Sequence, residues 1–290
     1  MSHFKYFGKK LFVENISVQN IAKKNNTPFY LYSERQIKKN YLNFAKIFNS
    51  VDPLICFAAK ANTNIEILKI LGKLGSGADV VSGGELLKVL MAGIKPNKIV
   101  FSGVGKTEEE LTLAIKKKIL LINVESESEA ELINKIGRKI NKVISIGFRL
   151  NPNIDAKTHK KISTGKAQNK FGVSIKNFSS FYKNIKQFNN LKIDALSVHI
   201  GSQILSDIPY KKTLDVLEKT IKDLNIKLKY VDLGGGFGIS YSKKEKQINL
   251  NNYAKLVAIF KKKLNCSIIF EPGRSLVGDT GILVSKIQYI

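Results

Sequence analysis

Apolar residues along the chain switch repeatedly between two spacings. Short apolar runs at PFYLYS (28–33), PLICFAA (53–59), ADVVS (78–82) and KIVFSG (98–103) read as strands. Between them the spacing becomes helical. Ile37, Tyr41, Phe44, Ile47 and Phe48 recur on one face of 34–49, and 64–73, 84–93, 107–118 and 128–137 behave alike. GELLKVLMAG ends on Gly93, a residue suited to the left-handed turn that closes a helix. The strand runs continue at LLINVES (120–126), KVISIGFRLNP (142–152), DALSVHIG (194–201), LKYVDLGGG (228–236) and CSIIFEPGR (266–274). Helices over 210–224 and 250–264 separate the last of them.

Apolar strands alternating with helices predict a parallel sheet covered by helices on its outside. Eight such strands, starting near 54, 78, 98, 120, 143, 194, 229 and 267, predict an α/β fold closed as a (β/α)8 TIM-like barrel. An open doubly wound sheet is the alternative. Three regions break the repeat. Residues 1–27 precede the first strong unit, and 153–178 is polar, with paired glycines in TGKAQNKFG, reading as a long loop. ILVSKIQYI (282–290) alternates like a strand, which would pair with the N-terminal segment or begin a further domain.

A length of 290 residues allows one large domain or two smaller ones. The net charge of +25 raises the question of a nucleic-acid partner. The excess is nearly all lysine, spread along the chain, with four arginines and no zinc-finger spacing or basic-aromatic stripe. A diffuse lysine surface accounts for it, so no nucleic acid is expected. Cys56 and Cys266 make neither a disulfide framework nor a metal motif, and His3, His159 and His199 are too few and scattered, so no metal is expected. MSHFKYFGKKLFVEN is not a secretory signal and no run is long enough to span a bilayer. A cytoplasmic protein without a membrane partner is the expectation.

A barrel gathers its chemistry at the C-terminal ends of its strands. The polar residues there are Lys60, Asp79, Ser82, Arg149, His199, Ser202, the glycines 234–236, Glu271 and Arg274. Lys60 is either a solvent-facing cap or an amine in a partly desolvated mouth that condenses with a carbonyl. In DLGGGFG (232–238), three successive glycines let backbone N–H groups crowd an anion where side chains would collide; a tight turn seldom needs three. The spacing is not the dinucleotide fingerprint. Ser202 could add a hydroxyl donor. Glu271 is an exposed cap or a carboxylate for a ring nitrogen. Arg274 makes a surface ion pair or receives a carboxylate or phosphate in its fork. Arg149 must have its charge paired or reach a polar pocket. His199 lies against a flat cofactor, shuttles a proton, or is a neutral interior imidazole.

Taken together, FAAKAN (57–62), GADVVSGGEL (77–86), FRLNPNIDAKTHKKISTG (148–165), KFGVS (170–174), HIGSQ (199–203), DLGGGFG (232–238) and EPGRSLV (271–277) resemble the diaminopimelate decarboxylase family. These are barrel-type pyridoxal-phosphate enzymes of fold type III, and the resemblance runs from about residue 5 to 290. KFG, HIGS and EPGR are shared in part with ornithine and arginine decarboxylases, whereas THKKISTG and Gln203 tilt towards the diaminopimelate branch. The resemblance implies pyridoxal 5'-phosphate as cofactor and an amino-acid substrate, meso-2,6-diaminopimelate, converted to L-lysine and carbon dioxide. A related ornithine, arginine or carboxynorspermidine-type decarboxylase, a barrel racemase and a non-catalytic pyridoxal-phosphate-binding protein are the alternatives.

The same resemblance makes Lys60 the Schiff-base lysine, Glu271 the partner of the pyridine nitrogen and His199 the ring lying against the cofactor. Ser202, Gly234, Gly235, Gly236 and Gly273, with the rest of the EPGR turn, would surround the phosphate. Arg274 would hold the substrate carboxylate, with Asp79 and Arg149 near the cofactor. It also implies a homodimer whose site is completed by a C-terminal β-domain bearing a cysteine, a glutamate and a tyrosine. The expected organisation is therefore an N-terminal segment, 1–27, contributing to that domain; a barrel, 28–278; and the start of the β-domain, 279–290, where the chain breaks off. A fragment of that kind would be of doubtful activity alone. Cys266 does not stand in for the missing cysteine, because it begins the strand leading into EPGR.

Overall fold

The computed structural model describes residues 3–156, 158, 162, 164–165, 170–242, 245 and 248–290. Its centre is a ring of parallel strands: β1 (Leu54–Ala58), β2 (Gly77–Val80), β3 (Ile99–Phe101), β4 (Leu121–Val124), β5 (Ile144–Asn151), β6 (Leu191–Ser197), β7 (Tyr230–Asp232) and β8 (Ser267–Phe270). Each pairs with the next, and β8 returns to β1 with Ile269 opposite Leu54 and Phe270 opposite Ile55. The sheet is thus a closed (β/α)8 barrel, as the eight apolar runs predict, and not an open sheet.

The two-residue period of each strand sorts its side chains. Outward residues such as Phe57, Ala78, Phe101, Ile122, Phe148, Leu196 and Phe270 join the main core beneath the helices. Inward residues Cys56, Val100, Leu121, Ala195 and Ile269 form a separate small apolar plug inside the barrel. Two positions further along these strands the inward parity falls on Ser102, Asn123, Ser197 and Glu271, and on the neighbouring strands it falls on Asp79, Arg149 and Asp232. All seven are buried. An apolar layer therefore closes the barrel below, and a polar layer lies directly above it.

Outside the ring lie α1 (Ile65–Lys73), α2 (Gly83–Met91), α3 (Glu108–Lys116), α4 (Glu127–Lys139), α5 (Phe178–Ile185), α6 (Ile208–Asp223), α7 (Leu250–Leu264) and the short α8 (Arg274–Val277). The turns that enter them are fixed by side-chain caps. Ser82 accepts from the Glu85 N–H, Ser126 from the Glu129 N–H, and Thr107 and Glu110 form a reciprocal capping box. Each cap contributes on the order of 1 kcal/mol. The helix Glu34–Ile47 precedes β1 and buries Ile37, Tyr41 and Phe44, the face its spacing predicts.

The regions outside the repeat also fold. Phe4–Phe7, Lys10–Val13 and Ile16–Ser17 form a three-stranded antiparallel sheet followed by a helix, Val18–Lys24. Of ILVSKIQYI, only the beginning is a strand, within Gly281–Val284. It pairs antiparallel with Phe29–Tyr32 rather than with residues 1–27. Within 153–178, Val173–Ser174 adds to β5, while Lys157, His159, Lys160, Lys161, Ser163 and residues 166–169 lie outside the described residues.

Candidate active site

At the C-terminal end of the barrel the polar layer opens into a cavity with two lobes, about 570 and 340 Å3. Lys60, His199 and Glu271 line both and stand where the lobes meet. Ser202, Gly236, Gly273 and Arg274 line the larger lobe together with Tyr30, Tyr32 and Tyr241. Arg149, Ser102, Phe171 and Ser197 line the smaller one.

Lys60 leaves the barrel in the single turn Ala59–Ala61 after β1, and its Nζ lies 2.6 Å from Asp79 Oδ2. The β1–β2 register sets this contact by placing Ala58 opposite Asp79. The lysine side chain is 44% exposed to the cavity and the carboxylate not at all. Burial opposes the Lys60 charge, but Asp79 and Glu271 outweigh it and hold the ammonium above its ordinary pKa. Asp79 Oδ1 is buried with no partner among the described residues.

Glu271 leaves β8 into the floor of the cavity. Burial first, then the Asp232 and Asp79 carboxyls, push its pKa well above the usual carboxylate range, while burial lifts Asp232 to about 6. The two carboxyls titrate together, and crowding makes Glu271 the more readily protonated of the pair. His199 is wedged between strand end and glycine run. Its Nδ1 accepts the Gly235 N–H at 3.2 Å, so the ring hydrogen resides on Nε2. Burial, then the charges of Lys60 and Arg149, keep this imidazole neutral, well below its ordinary pKa of 6.5.

The three glycines of DLGGGFG are each required by contact. A Cβ at Gly234 would lie 2.3 Å from Val198 O, at Gly235 2.0 Å from Glu271 O, and at Gly236 2.1 Å from Gly201 O. Their N–H groups do not all face the cavity, however. Gly234 donates to Asp232 Oδ1 and Gly235 to His199, so of the run only Gly236 lines the larger lobe. Arg274 Nη1 donates to the Tyr241 hydroxyl at 2.6 Å, and its Nε is buried without a partner among the described residues. Arg149 is paired and faces the pocket as well: its Nη1 lies 2.8 Å from Glu125 Oε1, and the guanidinium covers the Phe171 ring at 4.7 Å. Ser82 caps α2 and is not part of the cavity.

The arrangement suits a flat, anionic, aldehyde-bearing cofactor. One end offers an amine, and the floor has an unpartnered carboxylate oxygen and a second carboxyl whose hold on a proton is raised. The larger lobe offers a hydroxyl, a glycine with no room for a side chain, and a guanidinium nitrogen with no partner. Reading the sequence missed Ser102, Asn123, Glu125, Asp232 and Tyr241. A polar residue inside an otherwise apolar strand run, as in LLINV and YVDL, is the signal that finds Asn123 and Asp232.

Residues 34–278 match the pyridoxal binding domain of pyridoxal-dependent decarboxylases, and the chain belongs to that family. Within it, the curated relatives it resembles are diaminopimelate decarboxylases. The protein from Aquifex aeolicus is 41% identical across 99% of this chain and 69% of its own length; that from Haemophilus influenzae is 42% identical across 100% and 71%. The crystal structure of the M. jannaschii diaminopimelate decarboxylase in complex with L-lysine superposes with a TM-score of 0.91 at 34% identity, covering 99% of this chain and 70% of that one. The chain thus spans about 70% of the length of these relatives. Among the described residues no group of side chains could hold a metal ion, and no helix is long and apolar enough to cross a membrane.

Proposed function

We propose that the chain decarboxylates meso-2,6-diaminopimelate to L-lysine and carbon dioxide, using pyridoxal phosphate. The observation that carries this reading is Lys60, a half-open ammonium 2.6 Å from Asp79 at the junction of both lobes. The chemistry the cofactor supplies is an electron sink for the pair left when the Cα–carboxylate bond breaks. Every other task falls to this chain. Lys60 would hold the aldehyde carbon, and Asp79 Oδ2 is placed to take the proton its ammonium must lose to become a nucleophile. Glu271, whose carboxyl is crowded by other buried carboxyls, would face the ring nitrogen and share a proton with it. His199, neutral and pinned through Nδ1, forms the flat wall.

Ser202, Gly236 and Gly273, which line the larger lobe, would hold the phosphate, with Gly234 and Gly235 shaping the loop from behind. Arg274 receives the substrate carboxylate, exchanging its bond to Tyr241 for it. Arg149 forms the far wall of the smaller lobe. The chain is cytoplasmic and acts within a homodimer, consistent with the exposed Tyr30 and Leu283 at the rim, 69% and 57% accessible.

Incubation with pyridoxal phosphate, reduction with borohydride and mapping of the modified lysine by mass tests the site. A dominant adduct on Lys60 is expected; label scattered over surface lysines removes the proposal. Carbon dioxide release from diaminopimelate, set against ornithine, arginine and carboxynorspermidine, tests the substrate. Light scattering on the same sample tests the dimer.

A further inference from the structure

Glu271 does not stand alone on the cavity floor. Ser102 Oγ donates to Glu271 Oε1 at 3.2 Å. Asn123 Nδ2 lies 3.1 Å from Ser102 Oγ and 3.0 Å from Asp232 Oδ2. Asp232 Oδ1 accepts the Gly234 N–H at 2.9 Å, and the Glu271 N–H donates to Gly234 O at 2.7 Å. These residues come from the ends of β3, β4, β7 and β8 and are at most 6% exposed. We propose that Ser102, Asn123 and Asp232 are positioning residues, a buried relay that fixes the Glu271 carboxyl at the junction of the two lobes. The proposal rests on the reading of Glu271 as the partner of the cofactor ring nitrogen.

The direction of the relay is dictated by its chemistry. The Asn123 amide nitrogen has two hydrogens, and its two neighbours take one each. Because Ser102 accepts one of them, its single hydroxyl hydrogen is left to point at Glu271. Glu271 Oε1 therefore accepts at the end of the chain of donors. Without that hold, the carboxyl would be free to turn among the other charged groups of the floor, Lys60 and Asp79 among them. The ring nitrogen would then lose its partner. The other titratable groups facing this cluster are Cys56 from β1, Asp79 from β2 and Lys60, all of which act on Glu271 or on its neighbours.

Two further observations show that the surrounding chain is built around Asn123. A Cβ at Gly147 on β5 would lie 2.4 Å from Asn123 Oδ1, so β5 leaves room for the amide with a glycine. Asn123 Oδ1 is buried without a partner among the described residues. An orphaned buried carbonyl oxygen is destabilising, and a hydrophobic residue at position 123 would avoid it. The fold keeps the amide for its two donors.

The test uses the full 290-residue chain loaded with pyridoxal phosphate labelled with 15N in the ring. S102A and D232N are compared with the unsubstituted protein by cofactor affinity, by the 15N shift of the ring nitrogen and by melting temperature. About a tenfold loss of affinity is expected in S102A, with the 15N shift moving towards the unprotonated ring. D232N moves the same way, and S102T, which restores the hydroxyl, returns both readouts towards the starting values. Should D232N fail to fold, S102A and S102T decide. An unchanged 15N shift in well-loaded S102A, even with a lowered melting temperature, overturns the relay while leaving Lys60 as the site. If the unsubstituted chain takes no cofactor on Lys60, the reading of the site falls and the relay falls with it.

Discussion

Lys60 and Lys106 follow barrel strands in similar sequence settings, CFAAK and FSGVGK, and each ammonium lies 2.6 Å from a carboxylate. Lys106 is 1% exposed and pairs with Glu129. It also donates to Gly103 O at 2.6 Å and to Asn123 O at 2.8 Å, so all three of its hydrogens are in use. Lys60 has Asp79 and a cavity. The surroundings differ in balance too. Lys106 and Arg149 face Glu129 and Glu125, two cations against two anions. Lys60 stands beside Asp79 and Glu271, with Arg149 across the smaller lobe. Pairing alone does not set Lys60 apart from Lys106; its exposure and unfilled hydrogen-bonding capacity facing open space do.

Exchanging the two lysines should break the comparison most clearly. K60A is expected to cut carbon dioxide release by a factor on the order of 10³ or more, with a smaller loss of stability than K106M because removing the half-exposed lysine opens Asp79 to the cavity. K106M should do the reverse, costing about 3–5 kcal/mol in urea unfolding because Glu129 is left buried and uncompensated. Next comes the glycine run between His199 and Glu271. G235A drives a Cβ against the Glu271 carbonyl and should destabilise by about 1–3 kcal/mol while lowering cofactor affinity.

A smaller effect follows from His199. Its folded pKa is depressed, so the stability it contributes is complete above 6.5 and is lost as pH falls towards the folded value. Unfolding free energy should drop by up to about 1.4 kcal/mol per pH unit in that window, and H199N should flatten the slope. The smallest change expected is in Y241F, which removes one hydrogen bond to Arg274. A shift of KM by roughly tenfold or less, with kcat nearly unchanged, would sharpen the role of Arg274 in binding.

The barrel was legible because its strands are buried on both faces and so read as continuous apolar runs. The predicted starts at 54, 78, 98, 120, 143, 229 and 267 fall close to the observed strands, whereas β6 begins at Leu191, ahead of the predicted 194, because LKI pairs with β5 at the barrel edge. The residues at strand ends were legible for the same reason: inward parity continues past the last apolar residue. Lys60, His199, Glu271 and Arg149 do converge on the cavity. The division of labour within the glycine run was not legible, since sequence counts N–H groups but does not say which are used by Asp232 and His199. Asn123 was hidden because one polar residue in an apolar strand looks like noise until its neighbours from three other strands are in place. The partner of the last strand was missed because pairing Gly281–Val284 with Phe29–Tyr32 depends on where the closed barrel returns the chain.

That pairing also orders events in time. Gly281 lies opposite Tyr32 and Val284 opposite Phe29, contacts of very long sequence separation that form only once the ring of strands has closed. The larger lobe takes Tyr30 and Tyr32 from one of these strands and Ile282 and Leu283 from the other. Its outer wall is therefore among the last parts of the molecule to assemble and the first to open. Amide exchange in these two strands should be faster than in β2 or β4. A molecule seated in the larger lobe touches both, and so fastens the strand that precedes the barrel to the one that follows it without a covalent bond.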